Sequence, residues 1–373
     1  MKVPFTGLEV QKDRLRHQID ARISKVLDHG KFIMGPEVGE FEAELSKFCG
    51  AQHSIGVANG TDALQIALMA LGIEAGDRVF VPSFTYTATA EVILVLGGVP
   101  VFVDVDPVTF NIDADDLVEK ISQVKASGHR ALCVIGVDLF GLPADWEAIN
   151  AICAEHGLAS IADSAQSFGA ALADGRSVGT LAQITTTSFF PAKPLGCYGD
   201  GGAIFSQDED LAAVMRSIRV HGSGQQKYET VRVGMNSRLD TLQAAVLLSK
   251  IEVFGEEIRR RNELADYYSA ALGDVCEVPQ KPAGVTSAWA QYTIRSSERD
   301  ALQQHLNNEG IPTAIYYPLP MHLQKAYAQF GDGEGSLMQS ENASREVLSL
   351  PMNPYWATQE ADMVIAAVKS FLA

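Results

Sequence analysis

The amino-acid sequence predicts an α/β protein: a large domain with a mostly parallel mixed sheet, then a smaller C-terminal α/β domain. Stretches with helical periodicity alternate with short β-rich runs, which is typical of α/β architectures. Most of these runs are apolar throughout, as expected for strands that are covered on both faces. The chain has 373 residues, about the length of two domains. We place the boundary near residue 250, which gives domains 1–250 and 251–373.

The predicted elements follow in chain order. Apolar residues on one face predict an amphipathic helix over Glu37–Phe48, and a second helix follows at Thr61–Leu71. Five strands are predicted, at Arg78–Pro82, Val99–Val103, Leu132–Val137, Leu158–Asp163 and Ile184–Phe189. A helix over Ala144–Glu155 separates two of them, and a long helical pattern runs from Asp240 to about Tyr268. Beyond it the alternation becomes weaker and more polar, so the boundary is placed within or just after this helix.

Composition argues against several classes of function. The formal net charge is −17, from 46 acidic against 29 basic residues, so we expect neither nucleic-acid binding nor attraction to an anionic membrane. The longest apolar stretch, 92–103, contains two glycines and a proline and is too short for a membrane-spanning helix. Five widely spaced cysteines without a CxxC pair indicate reduced, buried thiols and no zinc site. We therefore expect a cytoplasmic protein.

Two short motifs are candidates for ligand contacts. Asn59-Gly60-Thr61-Asp62 precedes a helix, where free N–H groups and a hydroxyl suit a phosphate; an ordinary helix cap is the alternative. Asp163 ends an apolar strand, at the edge where parallel sheets bind ligands; a loop cap is again the alternative. There is no GxxxxGK[ST] phosphate loop, and the glycines at 196–202 lack the third glycine of a dinucleotide motif.

Lys193 lies between Pro191 and Pro194 and is followed by glycines. The proline before the lysine restricts the backbone, and the glycines after it allow unusual backbone conformations. This combination favours an amine that points inward and is desolvated. Desolvation lowers the pKa of a lysine and makes it a nucleophile. A phosphate cradle, a strand-end aspartate and an inward lysine are together the parts of a pyridoxal phosphate site, where the aspartate keeps the pyridine nitrogen protonated.

With these motifs the chain resembles the DegT/StrS-type sugar-nucleotide aminotransferases, which are fold type I pyridoxal-phosphate enzymes. The matching stretches are residues 32–38, 58–64, 82–89, 163–169, 188–202 and 234–240, so that the resemblance covers nearly the whole chain in family order. It implies pyridoxal 5′-phosphate as cofactor, L-glutamate as amino donor and a nucleotide sugar as acceptor. The pathway it implies is the synthesis of amino sugars or surface polysaccharide such as lipopolysaccharide O-antigen.

The resemblance also implies a role for individual residues. Lys193 matches the lysine that bonds covalently to the cofactor, and Asp163 matches the partner of the pyridine nitrogen. The remaining cofactor contacts are Gln166 near the ring hydroxyl, Tyr86 on the ring face, and Gly60, Thr61 and Ser188 at the phosphate. Phe84 is the alternative to Tyr86, and Gln166 is alternatively a turn cap.

Asn236 matches a residue that reaches the phosphate from a second subunit, which implies a homodimer with shared active sites. The alternative is that Asn236 is a turn residue after Gly234. Six bases lie nearby against a single acid, Glu229; they are Arg216, Arg219, His221, Lys227, Arg232 and Arg238. This basic island would attract an anionic substrate, unless its members are scattered surface residues.

The closest resemblance is to enzymes that aminate C3 of a UDP-linked 3-oxo-N-acetylhexuronic acid. Arg238 would then hold the sugar carboxylate, the glutamate carboxylate, or both in turn. Tyr316 and His322 are further expected substrate contacts, although both depart from the uronate pattern. A neutral 3- or 4-oxo sugar nucleotide is therefore the alternative substrate, and a non-catalytic regulator that binds the cofactor is the alternative protein.

Overall fold

The structure, a computed structural model, describes residues 3–372. Its helices are α1 Leu8–His29, α2 Pro36–Cys49, α3 Gly60–Ala70, α4 Ala88–Val95, α5 Ala114–Ala126, α6 Trp146–His156, α7 Glu209–Ile218, α8 Thr241–Leu272, α9 Arg299–Asn308, α10 Met338–Glu346 and α11 Thr358–Leu372. Its strands are β1 His53–Val57, β2 Arg78–Pro82, β3 Val99–Val103, β4 Ala131–Val137, β5 Ala159–Asp163, β6 Ile184–Ser188, β7 Gly202–Ser206, β8 Tyr292–Arg295 and β9 Val347–Leu350.

The central sheet has seven strands in the order β1-β7-β6-β5-β4-β2-β3. Strands β2 to β6 pair in parallel, whereas β7 runs antiparallel to both of its neighbours, β6 and β1. The sheet is therefore mostly parallel and mixed, as predicted. The five predicted strands are confirmed with ends that differ by one residue at most, whereas β1 and β7 were missed.

Helices cover both faces of this sheet, which explains why most of its parallel strands are apolar. On one face α2, α5, α6 and α8 contribute to a core that includes Phe41, Ile121, Trp146 and Phe254. On the other face α3, α4 and α7 contribute Leu64, Ile93 and Met215 to a second core. The carboxyl ends of the parallel strands consequently meet at one edge, where a ligand can reach the chain.

Helix α8 links the two parts of the molecule. It is continuous over 32 residues and passes through the predicted boundary at residue 250 without a break. Its residues up to Ile258 pack in the core against the central sheet. From Ala265 onward they pack with β8, β9, α9 and α11 in a separate C-terminal core. Helix α8 thus passes from the first core to the C-terminal core about ten residues beyond residue 250. The domain boundary at residue 250 stays a prediction.

Within residues 3–372 no helix is both long enough and apolar enough to cross a membrane. All five cysteines are unpaired, and four of them are buried.

Candidate active site

Lys193 lies in a tight loop between β6 and β7. Its N–H donates to the carbonyl of Phe190 at 2.8 Å, and the N–H of Cys197 donates to the carbonyl of Phe189 at 2.8 Å, which closes the loop. Gly196 is required there, because a Cβ at that position would lie 2.5 Å from the Pro191 carbonyl oxygen. Burial lowers the pKa of the Lys193 amine, and the charge of Asp163 opposes that shift. The loop therefore holds an amine that loses its proton more readily than a surface lysine.

Asp163 is the last residue of β5, at the carboxyl edge of the sheet. The Thr89 hydroxyl donates to its Oδ2 at 2.8 Å, and the N–H of Ala165 donates to its Oδ1 at 3.3 Å. Burial raises the pKa of this carboxyl, while the Thr89 hydrogen bond and the charge of Lys193 lower it. Asp163 and Lys193 are thus brought together as an interacting acid and base.

The start of α3 forms a cradle beside this pair. Asn59 caps the helix, since its side-chain oxygen accepts the N–H of Asp62 at 2.8 Å. A Cβ on Gly60 would lie 2.8 Å from the Cβ of Ser188, so only a glycine lets the helix begin this close to the end of β6. Asn59 is therefore a helix cap, while the phosphate contact at this helix start stays a prediction. The helix N-terminus and the Ser188 hydroxyl together suit an anionic group.

Gln166 connects the aspartate loop to the C-terminal part of the chain. Its Oε1 accepts the N–H of Phe140 at 2.7 Å, and its Nε2 donates to the hydroxyl of Tyr317 at 3.3 Å. Burial and the charge of Asp163 raise the pKa of Tyr317, which keeps the phenol neutral. Tyr316 was predicted from the sequence and Tyr317 was not, because nothing in the local pattern distinguishes the two tyrosines.

The structure separates the two aromatic candidates for the ring face. Phe84 is buried, and its ring packs against Phe110 and Tyr317. Tyr86 is 56% exposed, with its ring centroid 6.3 Å from that of Tyr317. Only Tyr86 of these two therefore has a ring face free for a ligand. Tyr316 is half-buried and packs edge-on against Tyr317.

His322 is not placed as the substrate contact that was predicted from the sequence. It is fully buried, and its Nδ1 shares a 2.6 Å hydrogen bond with the Ser83 hydroxyl. Its Nε2 lies 3.3 Å from Oε1 of Glu341. With both ring nitrogens engaged, His322 joins the loop after β2 to α10 and offers no polar atom to a substrate. The expected substrate contact is corrected accordingly.

The basic island is smaller than the sequence suggested. Arg219 is buried and donates to Glu42 at 2.5 Å and to the Gly56 carbonyl at 2.8 Å, and Arg216 donates to the Ser54 carbonyl. These two arginines therefore stabilise the fold around β1. His221, Lys227 and Arg232 are exposed, and Arg238 is half-buried.

Asn236 and Arg238 flank a residue that is anchored beside the cradle. Between them, the buried hydroxyl of Ser237 accepts the N–H of Ala58 at 3.2 Å. Asn236 is exposed and forms an isolated β-bridge with Val220. The segment thus has a fixed position near α3, while the Asn236 side chain is open to a second molecule.

Comparisons with known proteins identify the family. The sequence model of the DegT/DnrJ/EryC1/StrS aminotransferase family matches residues 13–369. The chain is 46% identical to the UDP-2-acetamido-2-deoxy-3-oxo-D-glucuronate aminotransferase of Pseudomonas aeruginosa, covering 98% of this chain and 99% of the relative. It is 40% identical to the dTDP-3-amino-3,4,6-trideoxy-alpha-D-glucose transaminase of Streptomyces venezuelae, covering 99% and 96%.

Solved structures share the fold. A DegT DnrJ EryC1 StrS aminotransferase from Brucella abortus superimposes with a TM-score of 0.97 at 47% identity, covering 99% of both chains. A Bacillus subtilis protein solved with the cofactor PMP bound has a TM-score of 0.91 at 32% identity, covering 100% of this chain and 85% of its own.

Proposed function

The chain belongs to the DegT/DnrJ/EryC1/StrS aminotransferase family, and from that premise we propose that it transfers the amino group of L-glutamate to a keto-sugar nucleotide. Pyridoxal 5′-phosphate is the cofactor. The observation that carries the proposal is the interacting pair of Lys193 and Asp163 beside the N-terminus of α3. An amine of lowered pKa, a buried carboxylate and an anion cradle at one sheet edge are what this chemistry requires.

The residues fit the cofactor in size and charge. The close approach of Gly60 to Ser188 leaves space that a Cβ would fill, and it suits the phosphate, with Thr61 in the first helical turn. Asp163 suits the pyridine nitrogen. Gln166 suits the ring hydroxyl, and Tyr86 suits the ring face.

When bound, the cofactor supplies an electron-withdrawing ring that stabilises negative charge on the carbon bearing the transferred amine. The carboxylate of Asp163 holds a proton on the ring nitrogen, and Thr89 and Ala165 keep that carboxylate aimed. Lys193 first acts as a nucleophile and then moves a proton between two carbons, a task that a lowered amine pKa favours. The hydroxyl of the partly buried Tyr317 accepts a hydrogen bond from Gln166 and helps to hold its side chain in place.

For the acceptor we propose a UDP-linked 3-oxo-N-acetylhexuronic acid in surface polysaccharide synthesis. The similarity to the Pseudomonas aeruginosa enzyme supports this substrate. A half-buried arginine, Arg238, suits a bidentate pair with the sugar carboxylate. The sequence departure at His322 carries little weight against it, since that side chain is buried. The similarity to the Streptomyces venezuelae enzyme favours the second candidate, a neutral sugar nucleotide.

We also propose a homodimer with shared active sites in the cytoplasm. The consecutive apolar residues Phe32, Ile33 and Met34 are each 41–48% exposed, and Phe190 beside the Lys193 loop is 52% exposed. An exposed apolar surface of this kind favours burial against a second copy. Asn236 would then reach the partner's cofactor site. Five unpaired cysteines are consistent with a reducing compartment.

Two measurements test the function. Addition of L-glutamate alone should abolish the visible absorption of the bound cofactor, whereas a regulator would bind cofactor without this change. The aminated enzyme should then be offered matched 3-oxo acceptors with a C6 carboxylate or a C6 hydroxymethyl. A lost charge-assisted pair costs about 1.5–3 kcal/mol, roughly ten- to a hundredfold in kcat/KM.

Arg238→Gln is the matched variant. It should remove the preference for the carboxylate sugar while leaving turnover of the hydroxymethyl sugar unchanged. Equal kcat/KM values for the two acceptors with the parent enzyme would reject the uronate. A variant that only raises KM for glutamate would assign Arg238 to the donor.

A further inference from the structure

A fully buried carboxylate that the proposed chemistry does not use lies one residue beyond β4. Asp138 has no exposed surface. Its Oδ1 accepts the N–H of Ala144 and the indole N–H of Trp146, both at 2.8 Å. Its Oδ2 accepts the hydroxyl of Ser164 at 2.8 Å and that of Ser167 at 2.7 Å. Both oxygens are therefore saturated by donors from two separate segments of chain.

The two N–H groups can only donate, and the two serine hydroxyls occupy the remaining positions on the second oxygen, so that the Asp138 side chain is held by both segments. Burial raises the pKa of Asp138, while the hydrogen bonds from Ala144, Ser167, Ser164 and Trp146 lower it. A buried carboxylate is costly unless its lone pairs are satisfied, and charge-assisted hydrogen bonds are the strong kind. Asp138 is therefore a rigid anchor.

The two serines belong to the turn that carries Asp163 and Gln166. Ser164 follows Asp163, and Ser167 follows Gln166. In addition, the backbone N–H of Asp138 donates to the carbonyl of Asp163 at 3.1 Å. The turn is thus attached to Asp138 at its start and at its end.

The turn after β5 also holds the loop after β4. Gln166 accepts the N–H of Phe140, two residues after Asp138, at 2.7 Å. Phe140 itself has a positive φ of 58°, a conformation that a bulky residue adopts only when its surroundings impose it. The loop after β4 and the turn after β5 therefore form one hydrogen-bonded unit, whose centre is the Asp138 carboxylate.

We propose that Asp138 is a positioning residue for the amino transfer: through Ser164 and Ser167 it fixes the turn that aims Asp163 and Gln166. This inference rests on the proposed function, because Asp163 is taken to face the ring nitrogen. Sites whose supporting residues are loose lose precision in the residues that touch the ligand. In a looser turn the Asp163 carboxylate should align less well with the ring nitrogen and should stabilise its positive charge less.

The test follows the protonation of the ring nitrogen, which a merely structural role would not change. The holoenzyme is prepared with pyridoxal 5′-phosphate labelled with nitrogen-15 in the ring, and its chemical shift is followed with pH. In Asp138→Asn an amide nitrogen replaces one acceptor oxygen, so that the Ser164 and Ser167 hydroxyls keep their contacts only by reversing to accept, and these bonds lose their charge assistance. This variant should lower the pKa of the ring nitrogen by at least about 0.5 unit, because a misaligned Asp163 stabilises the positive charge less.

Ser167→Ala is the second variant. It keeps the charge of Asp138 but releases one end of the turn, so it should shift the ring nitrogen in the same direction by a smaller amount. It also keeps the test open if Asp138→Asn does not fold. Asp145→Asn is the matched control, since Asp145 caps α6 in the same loop through the N–H of Ala148. Because asparagine caps a helix about as well as aspartate, this variant removes a charge from the same loop and should leave the ring nitrogen unchanged.

Three results would overturn the proposal. The ring nitrogen could titrate as in the parent in both variants. It could shift only in Asp138→Asn, in which case the charge of Asp138 acts directly and not through the turn. The pKa of the ring nitrogen could also shift equally in Asp145→Asn, which would show that the effect is not specific to Asp138. Failure of the proposed function looks different: L-glutamate would then leave the visible absorption of the cofactor bound to the parent unchanged, whereas the titration of the ring nitrogen in the variants would still test the role of Asp138.

Discussion

Lys250 allows a quantitative prediction about stability and pH. It lies on α8 with no exposed surface, and its ammonium donates to the Gly196 carbonyl at 2.6 Å, within the Lys193 loop. The Tyr198 ring covers it, with the centroid 4.4 Å from Nζ. The acceptor of the ammonium is thus a neutral carbonyl. Burial lowers the pKa of Lys250 from 10.5 to about 8.

The Lys250 pKa is lower in the folded chain than in the unfolded chain, and this makes the stability depend on pH. Between pH 8 and 10.5 the unfolded chain carries the proton and the folded chain does not, so that the free energy of unfolding rises with pH. The penalty for burying the ammonium is fully present below pH 8 and is lost above 10.5. A fall in the Lys250 pKa from 10.5 to about 8 corresponds to roughly 3 kcal/mol, most of which lies between pH 7 and 10.

Lys250→Met removes the titrating group while filling the same space. In denaturant titrations of the cofactor-free proteins, the stability of the variant relative to the parent should fall by roughly 2–3 kcal/mol from pH 7 to pH 10. Lys47→Met replaces a lysine whose side chain is 77% exposed and serves as the control with a pH-independent difference. A Lys250 difference that is constant within about 0.5 kcal/mol would refute the reasoning.

Two further predictions concern the active site. Mixing inactive Lys193→Ala with inactive Asn236→Asp should restore part of the activity after subunit exchange, since half of the hybrid sites carry neither defect; no recovery despite exchange verified by mass would place Asn236 in its own subunit's site. Gly60→Ala should weaken cofactor binding by roughly 1–3 kcal/mol through overpacking against Ser188, measured as the dissociation constant; binding as tight as in the parent would show that the cradle lies elsewhere.

Local patterns in the sequence determined much of the fold. Most strands of the parallel core are short apolar runs, and the helices around them have one apolar face, so both are visible in windows of 5–20 residues. The two strands of the central sheet that were missed, β1 and β7, are antiparallel and include polar or glycine residues; β8 and β9 of the C-terminal sheet were not predicted either. β7 begins in the glycine-rich stretch after Lys193, where the pattern suggested a loop.

The sequence also determined which residues carry the candidate chemistry, because a lysine between two prolines and an aspartate at the end of an apolar strand are locally unusual. Their partners were decided only by the tertiary structure. Thr89 holds Asp163 from 74 positions away, and Ser83 holds His322 from 239 positions away. A hydrogen bond between distant segments leaves no periodic trace in either one, so burial and partner choice emerge only when the sheet edge brings the loops together.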